Sequence, residues 1–270
     1  MMDNKSSYAS WGKISMAVLK ITLIWLVCLW GVLLYGEDLT GREIMEEAFN
    51  RYDGDDAYFK MEMKLVDKKG NERKRLLEIY TKDYGNLIKT FIKFIFPPDI
   101  EGVSFLSWEN QDKEDTQYLY LPALGRVRRI VSTQKNLRFV NTDFTYEDMQ
   151  RRRPEQDTHT LLRESSYKDY NCFVVESIPK KGSSQYSKRI SWVGKDNFVI
   201  LKIEFYNKKG KKIKEYRIKE LKKIAGIWTP TEVIMEDLID GHRTLMKTLK
   251  VKYNQGVDDA IFSIRHLQED

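Results

Sequence analysis

Three histidines, His159, His242 and His266, and two cysteines, Cys28 and Cys172, are all that this 270-residue chain offers as neutral-pH bases, soft nucleophiles or soft metal ligands. The histidines stand far apart, with no HxxxH spacing to set two imidazoles on one helix face, and Cys172 has no nucleophile signature around it. There is no glycine-rich phosphate loop, and most carboxylates alternate with lysines along segments that read as exposed strand faces. No catalytic residue, metal ligand or cofactor is expected. The charged residues point instead to binding. Arg126, Arg128 and Arg129 place three guanidiniums within four positions, and Asp143, Glu147 and Asp148 follow around Phe144 and Tyr146. Two uses of these arginines stay open: pairing with the three carboxylates to order a long connection, or contact with lipid phosphates or an acidic partner at a rim. A second basic run, Arg151-Arg152-Arg153 before Pro154, reads as a solvated loop, and Phe144 and Tyr146 read as anchors of the connection.

The elements that position these residues are mostly strands. Gln117–Leu121 is apolar and aromatic, and Pro122 removes a ladder donor, so the chain leaves the sheet or lies at its edge, and a loop carrying the arginines is expected next. Upstream, Thr40-Gly41-Arg42-Glu43 has capping-box spacing and opens a helix whose apolar stripe, Ile44, Ala48 and Tyr52, must lie across a sheet; Asp53-Gly54 stops it. Phe59, Met61, Met63 and Leu65 then alternate with Lys60, Glu62 and Lys64, and Lys68-Lys69-Gly70-Asn71 turns the chain into a partner strand. Asn86–Phe96 alternates less strictly, as if covered on both faces. Further strands recur to Leu245–Tyr253 with short turns between them, and Asp258–Phe262 forms a capping turn or short helix. The fold class is mainly β with a few helices (α+β), built on a large antiparallel sheet that must curl.

Lys5, Lys13 and Lys20 precede an uncharged run, Ile21–Tyr35, in the pattern of an export signal. Residues 1–36 are expected to be either a cleaved signal peptide or an N-terminal membrane anchor, a single transmembrane helix, and residues 37–270 a single domain. Removing the leader lowers the formal charge from +6 to +4, a mild excess that the lysine-rich turns account for as solvated tips. No nucleic-acid motif accompanies it. Without the leader only Cys172 remains, so the core, not a disulfide, must stabilise the domain.

One apolar strand face stands out. Phe59, Met61, Met63, Leu65, Leu77, Ile79, Ile92, Phe94, Val199, Leu201, Ile203 and Phe205 are numerous enough to line a groove, and methionines adapt to variable shapes. The same residues could equally pack as an ordinary core beneath the helix.

The run LPALGRVRRI at 121–130, followed by FVNTDFTYEDM at 139–149, resembles the signature of the LolA-like outer-membrane lipoprotein-sorting proteins. Glu101–Leu106, Gly226–Pro230, Met235–Asp237 and Thr244 look like flanking motifs in the expected order, extending the resemblance over most of 37–270. It implies a strongly curved antiparallel sheet forming a half-open barrel, with a helix packed on its concave face and acyl chains held in that face. Asp143, Tyr146 and Trp228 are then structural motif positions, and Arg126, Arg128 and Arg129 the rim or partner contact. The implied role is a monomeric periplasmic carrier, in a double-membraned bacterium, that binds lipid or lipoprotein acyl chains. Loading would need movement of the helix or of the loop carrying Gly125. The alternative is an envelope sensor or accessory protein that binds a protein partner such as an inner-membrane, lipid-exporting transporter.

Overall fold

The computed structural model describes residues 39–180, 182 and 184–269, so the leader expected at 1–36 lies outside the described residues. The folded unit opens with helix α1 (Gly41–Asn50). The capping box forms as its spacing dictates: Thr40 Oγ1 accepts from the Glu43 amide at 3.3 Å and the Glu43 carboxylate accepts from the Thr40 amide at 2.7 Å. The helix ends at Asn50, earlier than Asp53-Gly54, and Tyr52 is 59% exposed instead of continuing the apolar stripe. Gly41 and Ile44 are its buried residues. A Cβ on Gly41 would lie 2.6 Å from the Leu161 amide nitrogen, so only glycine lets the first turn sit on that backbone.

Thirteen strands follow: β1 (Asp56–Val66), β2 (Glu72–Asp83), β3 (Ile88–Phe96), β4 (Ser104–Trp108), β5 (Thr116–Leu121), β6 (Arg126–Ile130), β7 (Asp157–Tyr167), β8 (Tyr170–Pro179), β9 (Lys188–Gly194), β10 (Ile200–Tyr206), β11 (Lys212–Ile224), β12 (Ile227–Asp237) and β13 (His242–Tyr253). They form one sheet in the order β6-β5-β4-β3-β2-β1-β13-β12-β11-β10-β9-β8-β7. The sheet is antiparallel, curved and not closed into a barrel, with β6 and β7 as its edges. Two meanders of hairpins meet where β1 pairs with β13 along most of its length, from Ala57 opposite Tyr253 to Val66 opposite Arg243. Bulges at Lys60/Met61, Leu161/Arg163, Ile200/Lys202 and Ile218/Glu220 add local bend and twist, which a sheet this wide needs in order to curl.

Arg126–Ile130 is a strand, not the expected loop. Pro122–Leu124 form a tight turn, Gly125 takes a left-handed conformation at φ 58°, and the chain returns along the free edge of β5. Between β6 and β7 the long connection 131–156 crosses the face that carries Met61, Met63 and Leu65. Phe139 and Tyr146 of this connection pack against Phe94 and Phe105, with Phe139 edge-on to Phe105 at 5.1 Å between centroids. On the opposite face of the same strands, Phe91 and Leu106 are covered by Val257, Phe262 and Leu267 of the C-terminal segment, and Trp108 donates its indole N–H to the Phe262 carbonyl at 2.9 Å. β3 is therefore covered on both sides, which is why its alternation is blurred.

That face of β10–β12 lies outside the cluster formed with the C-terminal segment. There Glu204, Glu215 and Glu236 stand in register across three strands, linked by Lys202, Lys212 and Arg217. Burial works against ionisation of Glu204, but hydrogen bonds from Lys202, Lys212 and Tyr206 outweigh it and hold its pKa down to about 2. Because the folded-state value lies below the ordinary one, this carboxylate stabilises the fold above the normal glutamate range, and the contribution fades as pH falls from there towards 2. Glu204→Gln should therefore flatten the loss of stability with acidification across that interval, as read by thermal unfolding at stepped pH.

Candidate functional site: a cleft between helix and connecting loop

The connection 131–156 is the element that shapes the concave face. Asp143, fully buried, accepts from Thr244 Oγ1 at 2.7 Å and from His242 Nδ1 at 2.9 Å, both on β13, and its amide donates to Thr244 Oγ1 at 3.0 Å. Arg75 of β2, 6% exposed, donates to the Val140 carbonyl at 2.7 Å and lies over the Phe94 ring. Val140 itself is held at φ 44°, a conformation that costs a β-branched residue about 1–3 kcal/mol and persists only under such constraint. Gln117 donates to the Tyr146 carbonyl at 3.0 Å. Asp143 and Tyr146 thus fix the loop to the sheet.

The loop decides which of the expected groove residues face open space. Met61, Met63, Leu65, Leu77, Ile92 and Phe94 are buried in one cluster with Phe139 and Tyr146, and Phe59 and Ile79 pack at its margin. That half of the face is filled by the protein itself. Leu201 is 1% exposed in a separate cluster with Trp192 and Cys172. Val199, Ile203 and Phe205, by contrast, line a cleft of about 480 Å³. Its floor continues through Tyr216, Ile218 and Met235, and α1 forms a wall with Met45, Ala48 and Phe49. A second, smaller cavity of about 240 Å³ lies beside Phe59, Trp228 and Tyr253, where Arg51 donates to the Trp228 carbonyl at 3.3 Å.

The polar wall of the cleft beside α1 comes from the run Arg151-Arg152-Arg153, which is not a solvated loop: its side chains are only 29%, 17% and 16% exposed. Arg151 stacks at 3.8 Å over the Phe49 ring and donates to the Phe49 carbonyl, joining loop to helix. Arg152 forks onto Asp157, with Nε 2.9 and 2.8 Å from the two carboxylate oxygens. Arg189 of β9 pairs with Glu147 at 2.7 Å. One guanidinium nitrogen each of Arg153 and Arg189 is buried without a hydrogen-bond acceptor among the described residues, the nearest carboxylates being 3.9 and 3.7 Å away. Behind the floor, Lys214 and the Tyr186 hydroxyl each donate to Asp148 at 2.8 Å. Burial and the Asp148 charge push the Tyr186 hydroxyl well above its ordinary range.

Of the two uses left open for Arg126, Arg128 and Arg129, pairing with Asp143, Glu147 and Asp148 does not form. The carboxylates are engaged elsewhere, by His242 and Thr244, by Arg189, and by Lys214. All three arginines are exposed, and their side chains make no ion pair or hydrogen bond among the described residues. Sequence reasoning missed Met45, Phe49, Tyr186, Arg189 and Lys214. Three of these had a legible signal: Met45 and Phe49 are spaced i, i+4 on α1, and Lys214 is in phase with Tyr216 and Ile218 on the inward side of β11. Among the described residues no group of three or more His, Cys, Asp or Glu is placed to hold a metal, and none of their helices is long and apolar enough to cross a membrane. His159 is occupied at both nitrogens, by the Ser177 hydroxyl and the Pro154 carbonyl, each at 2.8 Å.

An open, curved antiparallel sheet, with a helix and a long loop on its apolar face and a cleft between them, is the architecture of a carrier-type fold. A family profile described as "uncharacterized protein" matches residues 87–269, and no curated protein matches the sequence. A Vibrio parahaemolyticus domain proposed to be an outer membrane lipoprotein-sorting protein is 30% identical, with 84% of this chain and 98% of that chain covered and a TM-score of 0.80. A DUF1329 family protein from Desulfovibrio piger is 29% identical with the same coverage and TM-score. A LolA superfamily protein from Nitrosomonas europaea, 22% identical over 85% of this chain and all of that one, shares the fold at a TM-score of 0.66. The chain belongs to the LolA-like outer-membrane lipoprotein-sorting protein family.

The buried pair beside the floor is the most exacting part of this architecture. Lys214→Met should cost about 3–5 kcal/mol in urea unfolding, because it leaves Asp148 charged and unpaired. Adding Asp148→Asn should recover a large part of that loss.

Proposed function

We propose that the chain is a periplasmic carrier that holds the acyl chains of a lipid or lipoprotein in the cleft between α1 and the sheet. The observation that carries this reading is the cleft's composition: an apolar floor and helix wall ending at Arg153 and Arg189, each with a buried guanidinium nitrogen that lacks an acceptor among the described residues. An amphiphile matches both parts. Each buried methylene contributes about 0.8 kcal/mol, and an anionic head group would supply the acceptors that the guanidiniums lack. The volume of about 480 Å³ falls within the range of about 300–1,000 Å³ usual for small-ligand sites. Family membership supports lipid or lipoprotein cargo and a periplasmic setting. The lysines ahead of the Ile21–Tyr35 run would direct export, and 37–270 would act as one domain.

Loading requires α1 and the loop to part. The turn carrying Gly125, first expected to move, lies at the far edge of the sheet beside β6 and borders no part of this cleft. The contact that must open is Arg151 on Phe49. Burial is the whole mechanism, with no bond made or broken.

Native mass spectrometry on the full chain, purified from a double-membraned host and followed by lipid extraction, tests the reading. We expect co-purified phospholipid or acylated protein in the wild type and its loss in Ile203→Asp, which charges the half-buried floor without opening the core. Met63→Asp addresses the filled half of the face and should unfold the protein instead. A wild-type chain that is folded and free of lipid, and that takes up none from vesicles, rejects the carrier reading.

A further inference from the structure

The edge strand β6 is left open on the side away from β5. It pairs only with β5, from Gln117 opposite Ile130 to Leu121 opposite Arg126, and no backbone group of Arg126–Ile130 bonds to anything else among the described residues. In an antiparallel ladder every second residue turns its N–H and C=O away from its partner, so β6 presents a row of unused donors and acceptors. The other edge is treated differently. Helix α1 packs on β7, with Gly41 seated on the backbone of Thr160 and Leu161.

The side chains of β6 show what would fit there. Arg126 and Arg128 stand opposite Leu121 and Leu119, so they project on the loop-covered face, whereas Arg129 stands opposite Tyr118 and projects on the other. All three are exposed and without ion-pair partners among the described residues, and Leu124 and Val131 at the two ends of the strand are 56% and 50% exposed. A membrane surface would meet guanidiniums on only one of the two faces. A strand added in the plane of the sheet would meet both. A second copy of this edge is disfavoured, because antiparallel self-pairing about its centre would bring Arg128 against Arg128.

We infer that β6 is a docking edge for an extended, acidic segment of a partner protein, which adds a fourteenth strand and places carboxylates on both faces against Arg126, Arg128 and Arg129. Backbone hydrogen bonds would supply affinity and the guanidiniums would set charge and register. The site is remote from the lipid cleft and does not rest on the carrier reading. It would let a partner hold the protein while the cleft is loaded or emptied.

The test uses the full chain and a fluorescein-labelled decapeptide of repeating Glu-Glu-Val-Val, which sets glutamates on both faces of an extended strand, titrated by fluorescence anisotropy. We expect saturable binding, weakened at least tenfold in R126E/R128E, with amides of β6 gaining protection from hydrogen exchange. Backbone N-methylation of the peptide at one alternate set of residues should weaken binding at least tenfold, and at the other set leave it nearly unchanged, because only every second N–H of an added strand faces β6. Equal binding of both methylated peptides would reduce the site to charge capture and overturn the proposal. So would arginine-dependent binding to phosphatidylglycerol vesicles without peptide binding, which assigns the edge to a membrane. No binding to either leaves the arginines as guards against edge-to-edge aggregation and also overturns it.

Discussion

A buried carboxylate sets the form of this protein. Asp143 has no exposure to solvent, and its acceptors are met by Thr244 and His242 on β13, the strand that joins the two meanders. Through that contact the connection between β6 and β7 is tied across the middle of the sheet and not along its margin. The aromatic residues on either side, Phe139 and Tyr146, then fall onto Phe94 and Phe105. Without the anchor, a connection of this length would have little reason to lie in an ordered path over an apolar surface.

The consequence is a face divided in two. Over β1–β5 the loop fills the curve, and methionines that would suit a variable ligand serve instead as core. Over β9–β12 the cover is α1, which stands off the floor far enough to leave a cleft. The loop returns along that cleft as its arginine-rich wall. Arg151, Arg152, Arg189 and Lys214 are spent on Phe49, Asp157, Glu147 and Asp148. These pairs keep the wall rigid and limit free positive charge in the cleft. On the opposite surface the C-terminal segment covers the aromatic strands, and β10–β12 carry a partly buried glutamate–lysine ladder.

Local order was legible in the sequence because it depends on neighbours in the chain. The alternation from Phe59 to Leu65, the Thr40–Glu43 capping box, the lysine–glycine turns and the meander of strands all follow from side-chain period and turn chemistry, and each appears in the structure. The signature from Leu121 to Met149 pointed to the family for the same reason, since it lies in one contiguous segment.

Tertiary structure alone decided what covers each apolar residue. Alternation shows that Met63 points inward, as Ile203 does, but not that Phe139 lies on one while open space lies over the other. It likewise cannot say that Arg126–Ile130 forms an edge strand, or that Arg151–Arg153 turns inward while Arg126, Arg128 and Arg129 face solvent. Two basic runs of similar composition were separated by their partners, Phe49 from α1 and Asp157 from β7 for one and none among the described residues for the other. Burial and charge pairing between residues distant in sequence are properties of the assembled sheet, and a one-dimensional pattern carries no term for them.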